Sequence, residues 1–381
     1  MMGASDRFYT ALSGGKPDRV PVLPKIWVDL AASLTNTDLP QVIEDPFLAM
    51  EIIVKAGLEV QADGARLFHF PARKVVPCQE GLAEVNGKGK IRGPIDLQGG
   101  WATQLNEEES LHLEDPCHMA FIQFWSTQKP LVNTMEDVRR LAVPGKALYR
   151  ELGFEDVQKD LRRRYSDRIA LIGDCASATL AFCVLYRKMD NALMDFIMHP
   201  DLVHALMEKG VAMAVEKGKF HVDCGIKMLR VNDSVANMSV ISPAHFQEFI
   251  LPHMKTLCDE LHHYDPEVRI YCHICGNVLP VMDLLVDAGL DCIGPMDPLG
   301  GFSAKEARQA VGSRVSLMGG VNTLTFLNGA PDQVAREARE CLKVFGKTGY
   351  ILGSGCVVPP GTKKENLLAL RAEAERSGLN S

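Results

Sequence analysis

The sequence predicts an α/β protein folded as a (β/α)8 TIM barrel, because eight short apolar runs alternate with longer segments of helical periodicity. Runs rich in Val, Ile and Leu are typical of buried parallel strands. In addition, polar residues suited to chemistry follow several runs, and barrel active sites lie at the C-terminal ends of the strands. An open doubly wound sheet is the alternative fold. The predicted strands are Val20–Trp27, Gly64–Phe70, Ile169–Asp174, Ile226–Asn232, Arg269–His273, Cys292–Pro295, Val315–Gly319 and Tyr350–Gly353.

The fourth predicted strand is the weakest of the eight, because Lys227 and Arg230 interrupt its apolar pattern. The helices between the strands have clearer sequence signals. Between residues 200 and 220, apolar side chains recur on one helical face and charged ones on the opposite face, which predicts a helix packed on one side. Ser242-Pro243 predicts a helix start, because proline is tolerated in the first turn. Pro331 likewise begins a predicted helix that runs to Phe345.

One stretch interrupts the alternation of strands and helices. Residues 71–130 contain Asn86-Gly87, which is a strong hairpin signal, and they predict a β-rich excursion that closes over the barrel mouth. Residues 131–165 are predicted to be largely helical. We therefore expect a single barrel domain over residues 1–381, with an insertion at about 71–165.

Composition excludes several classes of protein. Hydrophobic residues make up 46% and charged residues 23% of the 381 positions, as in a globular protein with a sizeable core. The net charge of -7 argues against nucleic-acid binding. No apolar run approaches the roughly 20 residues of a membrane span, and no signal peptide is evident. The eleven cysteines show no disulfide-like spacing, so we expect reduced thiols in a cytoplasmic protein.

The most informative candidates are His273, Cys275 and Cys356, which we predict to bind a metal. His273 and Cys275 flank one residue at the end of a predicted strand, so their side chains point to the same side of an extended chain. One imidazole and two thiolates suit a catalytic zinc site with an open position. Taken singly, the histidine could be a hydrogen-bonded core residue and each cysteine an inert one.

Two further residues are candidates for catalytic roles. Asp233 follows the fourth predicted strand, where it could hydrogen-bond substrate, orient a ligand or accept a proton. Its alternative role is the N-cap of the helix that follows. Asn277 could support the metal site or cap the next helix.

Residues at or near other strand ends are candidate substrate contacts, although a buried neutral histidine and plain core aromatics are the alternatives. An apolar pocket for a methyl donor could form from Trp27, Phe68, Phe70 and Trp125. The predicted substrate contacts are Trp27, His69, Phe70 and Met318.

Several motifs also carry a family resemblance. Residues 16–22 (KPDRVPV), 319–323 (GGVNT) with 327–329 (LNG), and Gly355-Cys356 with Pro359-Pro360 occur in order along the chain. In this arrangement the sequence resembles the uroporphyrinogen decarboxylase superfamily from roughly residue 7 to residue 375.

The resemblance implies one of two chemistries. The decarboxylases of this superfamily use no metal and bind a tetrapyrrole with N-terminal arginines and an aspartate. The corrinoid-dependent methyltransferase branch binds zinc through a His-x-Cys pair and a distant Cys, which His273, Cys275 and Cys356 match. The decarboxylase features do not match, because residues 24–29 (PKIWVD) have no arginine of the expected kind and residues 67–70 (LFHF) lie roughly where the aspartate is expected.

The methyltransferase branch implies zinc-dependent transfer of a methyl group between a small substrate and a corrinoid cofactor. Two thiolate ligands favour thiol alkylation, without deciding the direction of transfer. The sequence lacks the Asp-x-His-x-x-Gly motif of a corrinoid module, so the corrinoid is expected on a separate protein or as free cobalamin. A metal-free decarboxylase of the uroporphyrinogen type, and a barrel that binds zinc or corrinoid without turnover, are the alternatives.

Overall fold

The computed structural model describes residues 2–98 and 100–379 and contains two sheets. Its strands are β1 (Val22–Lys25), β2 (Gly64–Leu67), β3 (Lys74–Cys78), β4 (Gly81–Val85), β5 (Ile91–Asp96), β6 (Ala102–Gln104), β7 (Trp125–Ser126), β8 (Ala170–Ser177), β9 (Met228–Asn232), β10 (Arg269–His273), β11 (Cys292–Met296), β12 (Ser316–Val321) and β13 (Tyr350–Val357).

Eight parallel strands form the barrel, in the spatial order β1, β13, β12, β11, β10, β9, β8, β2. Its two edge strands meet at Asp63. The Asp63 backbone N–H donates to the Val22 carbonyl at 2.8 Å, and the Val22 N–H donates to Asp63 Oδ2 at 2.8 Å. The predicted TIM barrel is therefore confirmed over the open doubly wound sheet.

Helices surround this barrel and connect its strands. Ser242 Oγ accepts a hydrogen bond from the His245 backbone N–H at 3.1 Å, which confirms the helix start predicted there. No helix of the described residues is long and apolar enough to cross a membrane. The α-helices are α1 (Ala4–Leu12), α2 (Val28–Leu34), α3 (Leu39–Glu44), α4 (Pro46–Glu59), α5 (Pro116–Ala120), α6 (Met135–Arg140), α7 (Lys146–Glu151), α8 (Phe154–Tyr165), α9 (Leu180–Arg187), α10 (Met189–Met198), α11 (Pro200–Asp223), α12 (Pro243–His245), α13 (Leu251–Tyr264), α14 (Met282–Asp287), α15 (Ala304–Val311), α16 (Thr323–Asn328), α17 (Pro331–Phe345) and α18 (Lys364–Leu379).

Helix α1 closes the N-terminal end of the barrel. Its Phe8 side chain is fully buried and lies so close to Gly64 that a Cβ there would be 2.8 Å from the ring. Ser316 Oγ donates to the Ala11 carbonyl at 2.7 Å and ties α1 to β12. The lumen at this end is therefore apolar, with Leu23 and Met228 in the same cluster as Phe8.

The lumen becomes polar two residues further along each strand, towards its C-terminal end. Side chains two positions apart face the same side of a strand, so the residues that follow the apolar layer also face the lumen. They include Lys25, Asp174, Arg230 and His273, and all four are buried. Arg230, whose charge weakened the sequence evidence for the fourth strand, thus faces the lumen.

The insertion after β2 forms the second sheet, β3 to β7, and helices α6, α7 and α8 follow it. Both features confirm the secondary structure predicted for residues 71–130 and 131–165. The ring of Phe70 lies 6.0 Å from that of Trp101 and 5.4 Å from that of Phe124, which attaches the insertion beside the barrel mouth. The division into one domain with an insertion at about 71–165 stays a prediction.

Candidate metal centre

His273, Cys275 and Cys356 come together at the C-terminal end of the barrel. His273 Nε2 lies 3.2 Å from Cys275 Sγ, and Cys275 Sγ lies 3.4 Å from Cys356 Sγ. All three ligand atoms are within 4.8 Å of one another. Two strands, β11 and β12, separate β10 from β13 in the sheet, so the curvature of the barrel brings these residues together.

The chain holds Cys275 through a turn that directly follows β10. The Ile274 N–H donates to the Gly294 carbonyl at 2.9 Å, which continues the pairing with β11 past His273. Gly276 then has a φ of 78°, a left-handed conformation that favours glycine. A side chain there would also lie 3.0 Å from Asn237. The backbone therefore fixes the position from which Cys275 faces Cys356.

The electrostatic surroundings suit metal binding. Burial, together with the positive charges of Lys25, Arg230 and Arg66, holds the pKa of His273 well below its usual value. The imidazole is therefore neutral at pH 7 and can act as a ligand. The hydrogen bond between the two thiols lowers the pKa of Cys356 and raises that of Cys275.

The three residues fit a zinc ion. A tetrahedral zinc with Zn–S bonds of about 2.3 Å separates two sulfur ligands by roughly 3.8 Å. The observed sulfur–sulfur distance of 3.4 Å is within a few tenths of an ångström of this value. Three protein ligands leave one coordination position open, which is the arrangement of catalytic rather than structural zinc sites.

Three charged residues beside the centre were missed in the sequence. Lys25 is fully buried in β1 and close enough to both thiols for mutual attraction, Arg66 is buried in β2, and Asp297 follows β11 near both thiols. In the sequence, the signal for each of these residues was a single charged side chain within or next to an apolar strand. Such a residue is more often exposed, and only the closed barrel shows that Lys25 and Arg66 face inward.

Of the predicted substrate contacts, Trp27 and Phe70 lie together at the barrel mouth. The Trp27 ring is 4.3 Å from Phe68 and 5.8 Å from Phe70, centroid to centroid. The guanidinium of Arg66 lies 5.1 Å from the Phe68 ring, which links this aromatic cluster to the polar lumen. Trp125 instead contacts Phe121 at 6.4 Å.

His69 and Met318 occupy other surroundings. His69 is fully buried against the helices, with its ring stacked on Phe154 at 4.2 Å and its Nε2 2.5 Å from Gln158 Nε2. Burial lowers its pKa far below the usual value, so this side chain matches the alternative of a buried neutral histidine. Met318 belongs to the apolar cluster at the N-terminal end of the lumen. Substrate contact by either residue stays a prediction.

Asp233 is fully buried and faces α9. Its Oδ1 accepts from the Ala181 N–H at 2.7 Å, and its Oδ2 pairs with the Thr179 hydroxyl. It therefore caps α9, whereas the expected alternative was a cap for the following segment. Burial raises the pKa of this carboxyl to about 7.

Asn277 makes the contacts of a capping residue. Its Oδ1 accepts from the Leu279 N–H at 3.3 Å, at the start of the short 3-10 helix Leu279–Val281. Its carbonyl accepts from the Met238 N–H at 2.7 Å. The proposed catalytic roles of Asp233 and Asn277 are untested by these contacts and stay predictions.

Comparison with known proteins identifies the family. The profile of the family described as uroporphyrinogen decarboxylase (URO-D) matches residues 126–377. A methylated-thiol–coenzyme M methyltransferase of Methanosarcina mazei is 28% identical over 211 residues, which cover 55% of this chain and 54% of that protein. A uroporphyrinogen decarboxylase of Chlorobium luteolum is 27% identical over 254 residues, covering 63% of this chain and 69% of that protein. The chain thus matches about half the length of the first relative.

Solved structures share the fold. A methyltransferase from Methanosarcina mazei superposes with a TM-score of 0.69 over 99% of both chains, at 18% sequence identity. A B12-independent methionine synthase from a Shewanella species gives a TM-score of 0.52 over 96% of this chain and 95% of that one, at 12% identity. At these identities the likeness shows the barrel fold alone.

Proposed function

The chain belongs to the uroporphyrinogen decarboxylase family, and on that premise we propose that it is a zinc-dependent methyltransferase. It moves a methyl group between a small substrate and a corrinoid cofactor. The corrinoid reaches the barrel mouth on a separate corrinoid protein or as free cobalamin. All eleven cysteines are free thiols, in keeping with our expectation of a reducing cytoplasmic location.

One observation carries this proposal, namely the convergence of His273, Cys275 and Cys356 within 4.8 Å at the catalytic end of the barrel. These residue types hold zinc in proteins, whereas carboxylates are held by cationic partners, and a neutral His273 with two cysteines supplies none. The relative named as a methylated-thiol–coenzyme M methyltransferase supports the same choice within the family.

The chain's own residues account for much of the proposed chemistry. His273, Cys275 and Cys356 would hold zinc, which when bound lowers the pKa of a substrate thiol or withdraws charge from a leaving group. Their two thiolates match the charge of the ion, which favours thiol alkylation over strong Lewis acidity. Trp27 and Phe70 would form the apolar wall that excludes water from the reacting groups.

A metal-free decarboxylase of the uroporphyrinogen type is the second candidate. The decarboxylase relatives favour it, and the buried cations Lys25, Arg66 and Arg230 could pair with carboxylates. Against it, residues 67–70 (LFHF) lie roughly where a decarboxylase would present its aspartate, and Phe70 among them is buried beside Trp101 and Phe124.

The test is methyl exchange with methylcobalamin in the presence of zinc and a panel of thiols and methyl donors. We expect transfer by the wild type and a loss of roughly a hundredfold or more in Cys275→Ser, because a ligand is removed. Cys117→Ser is the matched control, since Cys117 is also a half-buried free thiol but lies in α5. Decarboxylation of uroporphyrinogen by metal-free protein, without any methyl exchange, would contradict the proposal.

A further inference from the structure

The loop that follows β11 lies between the two halves of the metal centre. Strand β11 pairs with β10, which carries His273 and leads directly to Cys275. On its other side, β12 alone separates β11 from β13, which carries Cys356. We call residues 297–300, at the C-terminal end of β11, the bridging loop, because from this position it can reach both cysteine-bearing segments.

The bridging loop contacts the turn that holds Cys275. The backbone N–H of Gly276, the residue after Cys275, donates to Asp297 Oδ2 at 3.4 Å. The backbone of Gly300 packs against the same turn, since a Cβ at Gly300 would lie 2.6 Å from the Gly276 carbonyl oxygen. No side chain fits at that distance, so the loop and the turn are in direct backbone contact.

The bridging loop also packs on the segment that carries Cys356. A Cβ at Gly355, the residue before Cys356, would lie 2.6 Å from Pro298 Cδ and 3.4 Å from Asp297 Cα. The carboxylate of Asp297 is near enough to both thiols for its charge to act on Cys275 and on Cys356. One short loop therefore touches the chain neighbour of each cysteine.

The two carboxylate oxygens of Asp297 make different contacts. Its Oδ1 accepts from the Leu299 N–H at 2.9 Å, which is the local turn that aspartate commonly makes. Asp265 makes the same turn at the opposite end of the barrel, where its Oδ1 accepts from the Glu267 N–H at 2.9 Å. The other oxygen of Asp265 pairs with Lys227, whereas that of Asp297 reaches across to the metal centre. This cross-link is therefore additional to the turn.

We propose that Asp297 is a positioning residue, which holds the two cysteine-bearing segments at the separation that a single metal ion needs. It acts through the Gly276 N–H and through the packing of the bridging loop on Gly355. This inference rests on the proposed function, because the metal centre is the site that Asp297 positions. It accounts for the distance of 3.4 Å between Cys275 Sγ and Cys356 Sγ, although their strands are not adjacent.

The other side of the Gly276 turn is held independently of Asp297. A Cβ at Gly276 would lie 3.0 Å from Asn237 Cγ, and the Met238 N–H donates to the Asn277 carbonyl at 2.7 Å. These contacts remain when Asp297 is changed, so the turn keeps its place against the loop after β9. What the change removes is the connection between this turn and the other half of the metal centre.

The test is the zinc affinity of Asp297→Asn and Asp297→Ala, measured by competition with a chromophoric chelator. We expect zinc to bind roughly tenfold more weakly to Asp297→Asn and up to about a hundredfold more weakly to Asp297→Ala, as for other residues that orient metal ligands. The asparagine loses less because its amide oxygen can still accept from the Leu299 N–H. Asp265→Ala is the matched control, since it removes the same turn at the opposite end of the barrel.

A second variant tests the backbone contact without changing any charge. A methyl group at Gly300 must displace the Gly276 turn or the bridging loop, so Gly300→Ala should also weaken zinc binding. Gly87→Ala is its control, because nothing lies within 4 Å of a Cβ there. Bound cobalt(II) reports coordination geometry through its visible absorption, which we expect to change in Asp297→Ala and Gly300→Ala and to stay the same in both controls.

Urea unfolding of the metal-free proteins identifies the variants that fold. Wild-type zinc affinity in a folded Asp297→Ala or Gly300→Ala protein would overturn the inference, and so would wild-type affinity in Asp297→Asn, which keeps the turn if the alanine variant does not fold. An equal loss of zinc affinity in Asp265→Ala would overturn it as well, because the stability of the barrel would then set the affinity.

The proposed function can fail or hold separately. If the wild type exchanges methyl groups with methylcobalamin while Asp297→Ala and Gly300→Ala bind zinc as the wild type does, the methyltransferase proposal holds and the positioning role is wrong. If these variants bind zinc more weakly but the wild type exchanges no methyl group with any substrate, the positioning role holds and the proposed reaction is wrong.

Discussion

At the scale of single residues, the sequence identified the groups whose spacing has one simple meaning. His273 and Cys275 are two positions apart at a strand end, so any extended backbone places them on one side. Lys25 and Arg66 have no such spacing, and their role depends on which side of a closed barrel they face. For Asp233 we expected a catalytic role, with a cap of the following helix as the alternative. The sequence did not show that the helix it caps, α9, precedes it in the chain.

Asp233 makes the stability of the fold depend on pH. Its pKa is raised to about 7 by burial, above an ordinary value of 3.8, so the folded state holds the proton more tightly than the unfolded chain does. This contribution to stability is full below about pH 4 and is lost as the pH rises through about 7. The free energy of unfolding should fall by about 2–4 kcal/mol over this window through Asp233 alone.

Asp233→Asn should remove that part of the pH dependence, because an amide keeps an oxygen for the Ala181 N–H and does not titrate. Urea unfolding of both proteins at a series of pH values measures the difference. A difference between wild type and variant that does not change from pH 4.5 to 7.5 would contradict the raised pKa.

At the scale of elements, the apolar runs in the sequence predicted the existence of the strands better than the residues at which they end. All eight predicted strands exist, but β13 runs on to Val357 where the sequence suggested an end at Gly353. Gly353 is part of a strand because its backbone passes close to β1, where a Cβ would lie 2.3 Å from the Leu23 carbonyl oxygen. A glycine read from sequence alone looks like a break, and the tight contact becomes visible only in the sheet.

Helix α1 gives a prediction at this scale. Phe8→Ala should lower the free energy of unfolding by about 3–5 kcal/mol, because it removes a fully buried ring from the closed end of the barrel. Zinc content should not change, since the metal ligands lie at the opposite end. Tyr9→Phe is the control, because it deletes only an exposed hydrogen bond from the Tyr9 hydroxyl to the Glu267 carbonyl. A loss of less than about 1 kcal/mol in Phe8→Ala would show that α1 does not seal the lumen.

At the scale of the whole molecule, closure of the barrel creates the site. The two halves of the metal centre are 81 residues apart in sequence, between Cys275 and Cys356, and two strands lie between them in the sheet. The same closure gathers Lys25, Arg66 and Arg230 into one lumen. The family resemblance anticipated the centre, whereas the cationic lumen could be found only from the folded chain.

The central claim is that three side chains from β10 and β13, or just beyond them, hold one zinc ion. The most direct measurement is the metal content of the purified, reduced protein, wild type beside Cys356→Ser. The account predicts about one zinc per chain in the wild type and a sharp reduction in the variant, because loss of one of three ligands leaves too few. A wild type without zinc, or a Cys356→Ser variant that retains it in full, would contradict the account.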